Sequence, residues 1–382
     1  MRETREATVA GNPQVLVAGY YGYGNIGDEA ILGALLRDVH EVRPDLGFVV
    51  LSAKADAGPV PPGVRVTYAS RLDPSKVLAA MRRTEMLILG GGGLIQDVTS
   101  LRSLLYYLGL IWTARRLGLP VAIYGGGIGP VTTAAGRRLA RAILPQVDLL
   151  ALRDQLSLET ALALGVPDTQ VALTADPAFS LERSPESAGA PGPAALAALS
   201  RAGVPGDRAD RLVGWALKAP VAAEDERAFG EAIGRVAAQT GLFPVLLPFH
   251  PEQDLAMLDR LTRVAGTGCA VVRDVREPAL LQEVVSAMTA VVAMRLHGVI
   301  FAVAAGVPCV ALSYDPKVDA LARDVPEIRY ASYPGVDVDE LVHNVVQVVE
   351  RAPQITIDLA AAASRLRARA RANATLIAAR LP

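Results

Sequence analysis

The sequence predicts two α/β domains in series, each a parallel sheet covered by helices on both faces. Three observations carry this. Short apolar runs rich in Val, Ile and Leu alternate with helix-period segments along the chain, as strands joined by helical crossovers do. The length, 382 residues, exceeds what one hydrophobic core organises. From Ser184 to Asp210 the composition turns to Ala, Pro, Gly and Ser, and the alternation then restarts. Such a stretch reads as a linker.

Taken in order, the first domain covers 1–183. Its strands are expected at 14–19, 47–52, 64–69, 86–90, 120–124, 148–153 and 171–175. These runs are almost wholly apolar, as strands buried on both faces must be. Helices are expected between them, at 28–40, 103–117, 133–144 and 155–164 among others. The linker, 184–210, holds one short helix around 193–202. The second domain, 211–354, repeats the pattern. Its strands fall near 212–217, 243–248, 269–273, 290–295, 308–313 and 328–332. Its helices fall near 223–240, 252–265, 278–288, 316–324 and 337–351. The tail, 355–382, reads as a basic helix with Leu359, Ala363, Leu366, Ala370 and Ile377 on one side and Arg365, Arg367, Arg369 and Arg371 around it. It suits a packed helix with a solvated charged face. It also suits peripheral contact with an anionic membrane.

Charge and cysteine content narrow the function. With 38 Lys and Arg against 39 Asp and Glu, the chain has no broad positive field, so nucleic acid is not an expected partner. Cys269 and Cys309 each lie in an apolar run and read as buried thiols. The start, MRETREATVA, has no apolar core of a secretory signal. The expectation is a cytoplasmic protein in which the Asn373-Ala374-Thr375 sequon has no meaning. The apolar run 291–314 is long enough for a bilayer. It contains Arg295, His297, Gly298, Gly306 and Pro308, which a lipid-facing helix disfavours. It reads as strand, short helix, strand.

Ligands of parallel sheets sit beyond the carboxyl ends of the strands, so functional residues are sought there. Gly22-Tyr23-Gly24-Asn25-Ile26-Gly27 follows a strand and opens a helix, as the dinucleotide fingerprint does. The next strand, however, ends in Ser52, Ala53 and Lys54, with no acid to hold a ribose. Asp28 and Glu29 also crowd the helix start that a pyrophosphate would use. A tight turn with a capped helix and a ligand-facing loop both remain open.

Two more glycine runs, Gly90–Gly93 before Gln96 and Asp97, and Gly125–Gly127 with Gly129, suit neither helix nor strand interiors. They are expected just past strand ends, making room for a bulky ligand. Arg153 and Asp154 end another strand, either as an internal pair or as a guanidinium at a cleft. In the second domain His250, the pair Arg295 and His297, and the pair Asp315 and Lys317 follow strands. His40 and His343 fall in ordinary helices. The chain shows no metal-ligand spacing, serine elbow or P-loop lysine. No metal and no cofactor are expected.

GYYGYGNIGDEAIL, LGGGGLIQD, YGGGIGP, LRDQLS, ADPAF, MRLHGVIFA and GVPCVALSYDPKV together resemble the polysaccharide pyruvyltransferase family, from about Val15 to Lys317. The resemblance implies two Rossmann-like domains facing across a cleft, as in GT-B glycosyltransferases. It implies phosphoenolpyruvate as donor and transfer of its three-carbon unit to two hydroxyls of one sugar as a cyclic ketal. For members that modify bacterial cell-wall polymers, the acceptor is an N-acetylmannosamine residue on a lipid-linked saccharide. Donor-binding residues carried over are Arg153, Arg295, His297 and Lys317, and Arg153, His297 and Lys317 are the catalytic candidates.

The residue chemistry agrees with that expectation. Phosphoenolpyruvate is a small polyanion, which Arg153 and Arg295 can grip bidentately while Lys317 supplies a point charge. His297 is the candidate acid and base, because imidazole titrates near neutral pH. Asn25, Asp28, Gly92, Gly93, Asp97, Gly127 and His250 are the acceptor-side candidates, with Asp28 or Asp97 as base. Two rival readings share the layout: a nucleotide-sugar glycosyltransferase, and a non-catalytic saccharide binder.

Overall fold

The computed structural model describes residues 13–54, 58–98, 100–181, 191–313 and 316–381. Its first sheet holds β1 (Gln14–Ala18), β2 (Gly47–Ser52), β3 (Arg65–Ser70), β4 (Leu87–Ile95), β5 (Val121–Ile128), β6 (Leu149–Leu152) and β7 (Val171–Leu173). The order is β3-β2-β1-β4-β5-β6-β7, and every pairing is parallel. Parallel neighbours need crossovers. These include α1 (Ile26–Val42), α2 (Pro74–Arg83), α3 (Leu101–Arg116), α4 (Ala134–Ile143) and α5 (Gln155–Ala163). The helices start on polar caps: the Asn25, Ser100, Thr133 and Asp154 side chains each accept a bond from a first-turn N–H, which satisfies donors the helix leaves unpaired.

After α6 (Pro193–Arg201), the helix expected in the linker, the second sheet follows. Linker residues 184–190 lie outside the described ones. The second sheet holds β8 (Leu212–Ala216), β9 (Phe243–Leu246), β10 (Ala270–Val271), β11 (Ala290–Ala293), β12 (Cys309–Ser313) and β13 (Arg329–Ser332). Its order is β10-β9-β8-β11-β12-β13, again parallel throughout. Around it lie α7 (Ala223–Thr240), α8 (Pro251–Val264), α9 (Pro278–Ser286), α10 (Leu296–Ala305), α11 (Pro316–Asp324) and α12 (Val338–Glu350). Each sheet therefore grows outward in both directions from its first strand, giving the Rossmann order. The chain direction switches between β1 and β4, and between β8 and β11, where ligand crevices form. The run 291–314 is β11, α10 and β12. Among the described residues no helix is long and apolar enough to cross a membrane.

In the first lobe, α2 to α5 cover one face of the sheet and α1 covers the other. The last helix, α13 (Ala352–Ala378), joins the two lobes. Leu359, Ala362, Leu366 and Ala370 pack into the second-lobe core, while Ala374 and Ile377 pack beside α1 in the first. Asn373 is fully buried; it accepts from the Thr174 hydroxyl at 2.8 Å and donates to Ala175 O at 3.1 Å. A glycan on that sequon would have no room. Arg369 donates to Thr174 O and pairs with Asp324 at 3.1 Å, and Arg365 donates to Asp324 O. The helix is packed, as its apolar side requires, and two of its arginines turn inward.

The glycine runs differ from the sequence expectation. Gly90–Gly93 and Gly125–Gly127 lie inside β4 and β5 rather than beyond them. Both strands bulge there: the register shifts between Gly92 and Ile95, and between Ile123 and Gly126. Gly91, Gly92 and Gly125 have φ of 51°, 71° and 55°, open to glycine at little steric cost. The strands thus continue past the point where side chains would bar the way.

Candidate active site between the lobes

The sequence-selected residues sit where the sheets end. Asn25 and Asp28 follow β1, Arg153 follows β6, and His250 follows β9. Arg295 and His297 follow β11, and Lys317 follows β12. Asp315 lies outside the described residues.

Glycine provides the sockets. A Cβ on Gly27 would stand 2.1 Å from His297 Nδ1, one on Gly93 2.6 Å from Lys317 Nζ, and one on Gly127 3.0 Å from Arg153 Nη2. The glycines belong to the first lobe, whereas His297 and Lys317 come from the second. Side chains of the second lobe therefore reach into hollows of the first. Arg153, Asp154, Asp176, Phe179, Leu296 and Lys317 line the narrow slot between them, and His297 lies beside Asp176.

Asp176 ties the group together. Its Oδ2 accepts from Arg153 Nη1 at 2.7 Å, its Oδ1 accepts from Ala178 N at 3.0 Å, and that same oxygen lies 3.9 Å from His297 Nε2. Arg153 is thus both at the cleft and internally paired. Asp154 chiefly caps α5 through Ser157 N at 2.7 Å, and the Ser157 hydroxyl accepts from Ile128 N at 3.0 Å. That chain of bonds fixes Arg153 relative to the glycine strand β5.

The His297 side chain is 13% exposed, but its Nε2 is buried and has no hydrogen-bond partner among the described residues. Burial pushes its pKa down to about 4, against the pull of Asp176 and with help from Arg153 and Arg295. The sequence reading has this imidazole titrating near neutral pH; in the resting protein it is neutral there, because a buried cation loses its hydration.

Arg295 is more constrained than expected. Its Nε and Nη2 donate to Asp254 at 3.1 and 2.6 Å. Asp254 is fully buried and also accepts from His250 N at 2.8 Å and Ala219 N at 3.2 Å. A two-pronged grip on an oxyanion along that edge would have to displace Asp254. His250 is the cap residue of α8, behind Arg295. Burial lowers its pKa, and it does not line the slot.

Among the residues expected on the acceptor side, Asn25 caps α1 and donates to Asp28 Oδ2 at 2.5 Å. Gly92 lets Asp28 approach, since a Cβ there would lie 3.0 Å from Oδ1. Burial, with Glu29 and Asp176, raises the Asp28 pKa to about 7, outweighing Arg153 and Arg295. Asp97 behaves oppositely. Burial alone would raise it, but the N–H and hydroxyl groups of Thr132 and Thr133 all donate to it, at 2.6 to 2.9 Å, and hold it at about 2. It ties the start of α4 to the end of β4, and both its oxygens are engaged. Of the two candidate bases, only Asp28 titrates near neutral pH.

Sequence reasoning gave no role to Asp176 or Asp254. Asp176 carried a usable signal, a carboxylate directly after a strand. Asp254 carried none, being one helical turn beyond His250 within α8. An aromatic group at the cleft rim was also missed. The Arg71 guanidinium lies 4.7 Å over Tyr106 and 5.4 Å over Tyr23, and Tyr23 stacks on Tyr20 at 4.3 Å. No trio of His, Cys, Asp or Glu gathers as a metal set among the described residues. Cys309 is buried and Cys269 half-buried, and burial raises their thiols to about 12 and 11.

The family described as "Polysaccharide pyruvyl transferase" matches residues 25–316. No curated protein matches the chain. Solved structures resemble it in fold. A putative UDP-N-acetylglucosamine 2-epimerase from Listeria monocytogenes aligns with TM-score 0.62 at 12% identity, covering 96% of this chain and 95% of its own. The UDP-GlcNAc 2-epimerase from Neisseria meningitidis, bound to UDP-GlcNAc, aligns with TM-score 0.61 at 12% identity, covering 96% and 98%. A glycosyltransferase from Rickettsia africae ESF-5 aligns with TM-score 0.57 at 8% identity, covering 95% and 94%. At such identities the likeness is one of architecture: two Rossmann-like lobes about a cleft.

Proposed function

The chain belongs to the polysaccharide pyruvyl transferase family, and we propose that it moves the pyruvyl unit of phosphoenolpyruvate onto two hydroxyls of a sugar, releasing phosphate. One observation carries the donor assignment. Arg153 and Lys317, one from each lobe, are seated on Gly127 and Gly93 and line one slot, and His297, seated on Gly27, lies 3.9 Å from Asp176 at its wall. A donor with a carboxylate and a phosphate needs several cations within a few ångströms, and a dry crevice makes them effective.

The chemistry balances as follows. A proton adds to the methylene carbon and leaves the central carbon electrophilic. One sugar hydroxyl attacks that carbon and gives up its proton. Phosphate departs, stabilised by Arg153 and Lys317. The second hydroxyl closes the ketal. Two hydroxyl protons are released, one replacing that added to carbon and one leaving with phosphate. Asp28 is the base for the acceptor, because it ionises at about 7. His297 carries the proton to the methylene carbon, becoming protonated once the donor is bound. The Tyr20 ring, partly exposed and stacked on Tyr23, offers an apolar plane for a sugar ring. The acceptor is an N-acetylmannosamine unit of a lipid-linked saccharide.

The test is incubation with labelled phosphoenolpyruvate and candidate saccharides. Phosphate release that requires the saccharide, with label retained in a ketal, is the expected result. Release of a nucleoside diphosphate from a nucleotide sugar instead would make the protein a glycosyltransferase. Saccharide binding without turnover of either donor would make it a binder.

A further inference from the structure

Helix α3 leaves an apolar stripe uncovered. Leu101, Leu105 and Trp112 are 38%, 43% and 47% exposed, and helical geometry puts them within about 40° of one another along ~16 Å. Val98, three residues before the helix, is 64% exposed, and Leu139 of the adjacent α4 is 37% exposed. Nothing stands over Gly109, midway along: a Cβ there would meet no atom within 4 Å.

The charged residues carried by α3, α4 and the segment between them have one sign. Between Asp97 and Asp148 there is no acidic residue and there are six arginines, in a chain of net charge −1. Arg115 pairs with Asp148 at 2.7 Å. Arg116 lies over Trp112 at 5.1 Å. Arg102, Arg138 and Arg141 are exposed and are in no ion pair with a described residue.

Exposed leucine and tryptophan flanked only by arginine suit the interface of an anionic bilayer. There the indole and aliphatic groups enter the headgroup layer and guanidinium groups meet lipid phosphates. A second copy of the chain fits less well, because a two-fold contact would oppose like charges. The helix begins where β4 ends, so its stripe leads from the cleft rim.

We infer that the α3–α4 face docks the protein on an anionic lipid bilayer through Leu101, Leu105 and Trp112 and the surrounding arginines. This is a different surface from the basic tail helix, where Arg365 and Arg369 are engaged within the protein. It holds whatever reaction the cleft performs.

The experiment uses the full chain and vesicles of phosphatidylcholine, with or without about 40% phosphatidylglycerol. Trp112 is a built-in reporter, since the other tryptophan, Trp215, is fully buried. Expected are sedimentation with the anionic vesicles only, weakening in high salt, and a blue shift of tryptophan emission. Arg138→Glu with Arg141→Glu should lower partitioning at least tenfold, since each arginine near the surface contributes about a factor of five. Leu105→Ser with Trp112→Ser should lower it comparably while the circular dichroism melt stays unchanged. Arg365→Glu with Arg367→Glu should have no effect. Binding that ignores lipid charge, no binding at all, or a dimer that shields Trp112 without lipid would each overturn the inference.

Discussion

Replacing Gly27 with alanine tests whether the glycine sockets matter. In the first turn of α1, alanine would ordinarily gain about 0.5–1 kcal/mol over glycine. Here a Cβ would stand 2.1 Å from His297 Nδ1, 2.3 Å from its Cγ and 2.8 Å from its Cβ. Contacts of this kind settle at about 3.5–4.0 Å, so one partner must retreat by ~1.5 Å. Both α1 and α10 are buried along most of their lengths, and neither retreats freely. Overpacking of this kind costs about 1–3 kcal/mol, which the helix gain partly offsets. Stability should therefore fall only slightly. Catalysis should fall further, because misplacing a reacting group by about 1 Å costs on the order of a hundredfold. The assay is kcat for saccharide-dependent phosphate release, with a thermal melt alongside. In the His297→Ala background the same glycine change should cost kcat far less, since the imidazole it displaces is gone and only the 2.8 Å approach to Cβ remains. Gly109→Ala is the control; it meets nothing and should stabilise by up to about 1 kcal/mol. A Gly27→Ala enzyme with normal kcat, or losses that multiply in the double variant, would refute the reasoning.

Asp28→Asn should abolish the rise of kcat/KM for the acceptor as pH passes about 7, the pKa that burial gives Asp28. Because that folded-state pKa lies above the ordinary carboxylate value near 4, native stability from this group is present below about 4 and lost as pH climbs through 7. The asparagine variant should accordingly resist denaturant better than wild type above neutrality, and unchanged profiles in both measurements would remove Asp28 from the base role. Asp254→Asn should cost about 3 kcal/mol in urea unfolding, because it leaves Arg295 without its anion in a buried place; an unchanged midpoint would mean Arg295 has found another partner. Phosphoenolpyruvate binding at neutral pH should take up a proton on His297, readable by calorimetry in two buffers of different ionisation enthalpy, and uptake that persists in His297→Gln would place the proton elsewhere.

The elements were legible because parallel strands buried on both faces are nearly all apolar, and the helices between them carry caps and periodicity. The restart after the linker correctly marked a second sheet. The glycine runs were legible as special but misplaced, because glycine's poor strand propensity is overridden when a bulge needs positive φ, as at Gly91, Gly92 and Gly125. Arg153, His297 and Lys317 could be picked out by type and strand-end position. That Asp176 pairs with Arg153, and Asp254 with Arg295, could not, since these pairs form only through tertiary packing. The same limit applied to His297 and Asp97: the burial of one and the four donors on the other are set by neighbours distant in sequence. The tail was legible as a helix with one apolar side, which is packed as the first of its two readings has it, but that it joins the lobes depends on Asn373 meeting Thr174, 199 residues away.

The resting charges of the site bear on how it accepts a donor. Arg153 is matched by Asp176 and Arg295 by Asp254, so neither guanidinium is an unopposed positive charge. An incoming polyanion must share Arg153 with Asp176 and meets Lys317 in the same slot. The same event alters His297. Its pKa of about 4 reflects burial first, with two guanidinium groups adding to it. One added negative charge about 4 Å away is worth about 4 kcal/mol at an effective dielectric of about 20. That corresponds to roughly three pKa units, enough to bring the imidazole from about 4 to the neutral range. On the proposed reading His297 is unprotonated before the donor binds, because desolvation disfavours its cation. It acquires its proton when the donor that needs it arrives.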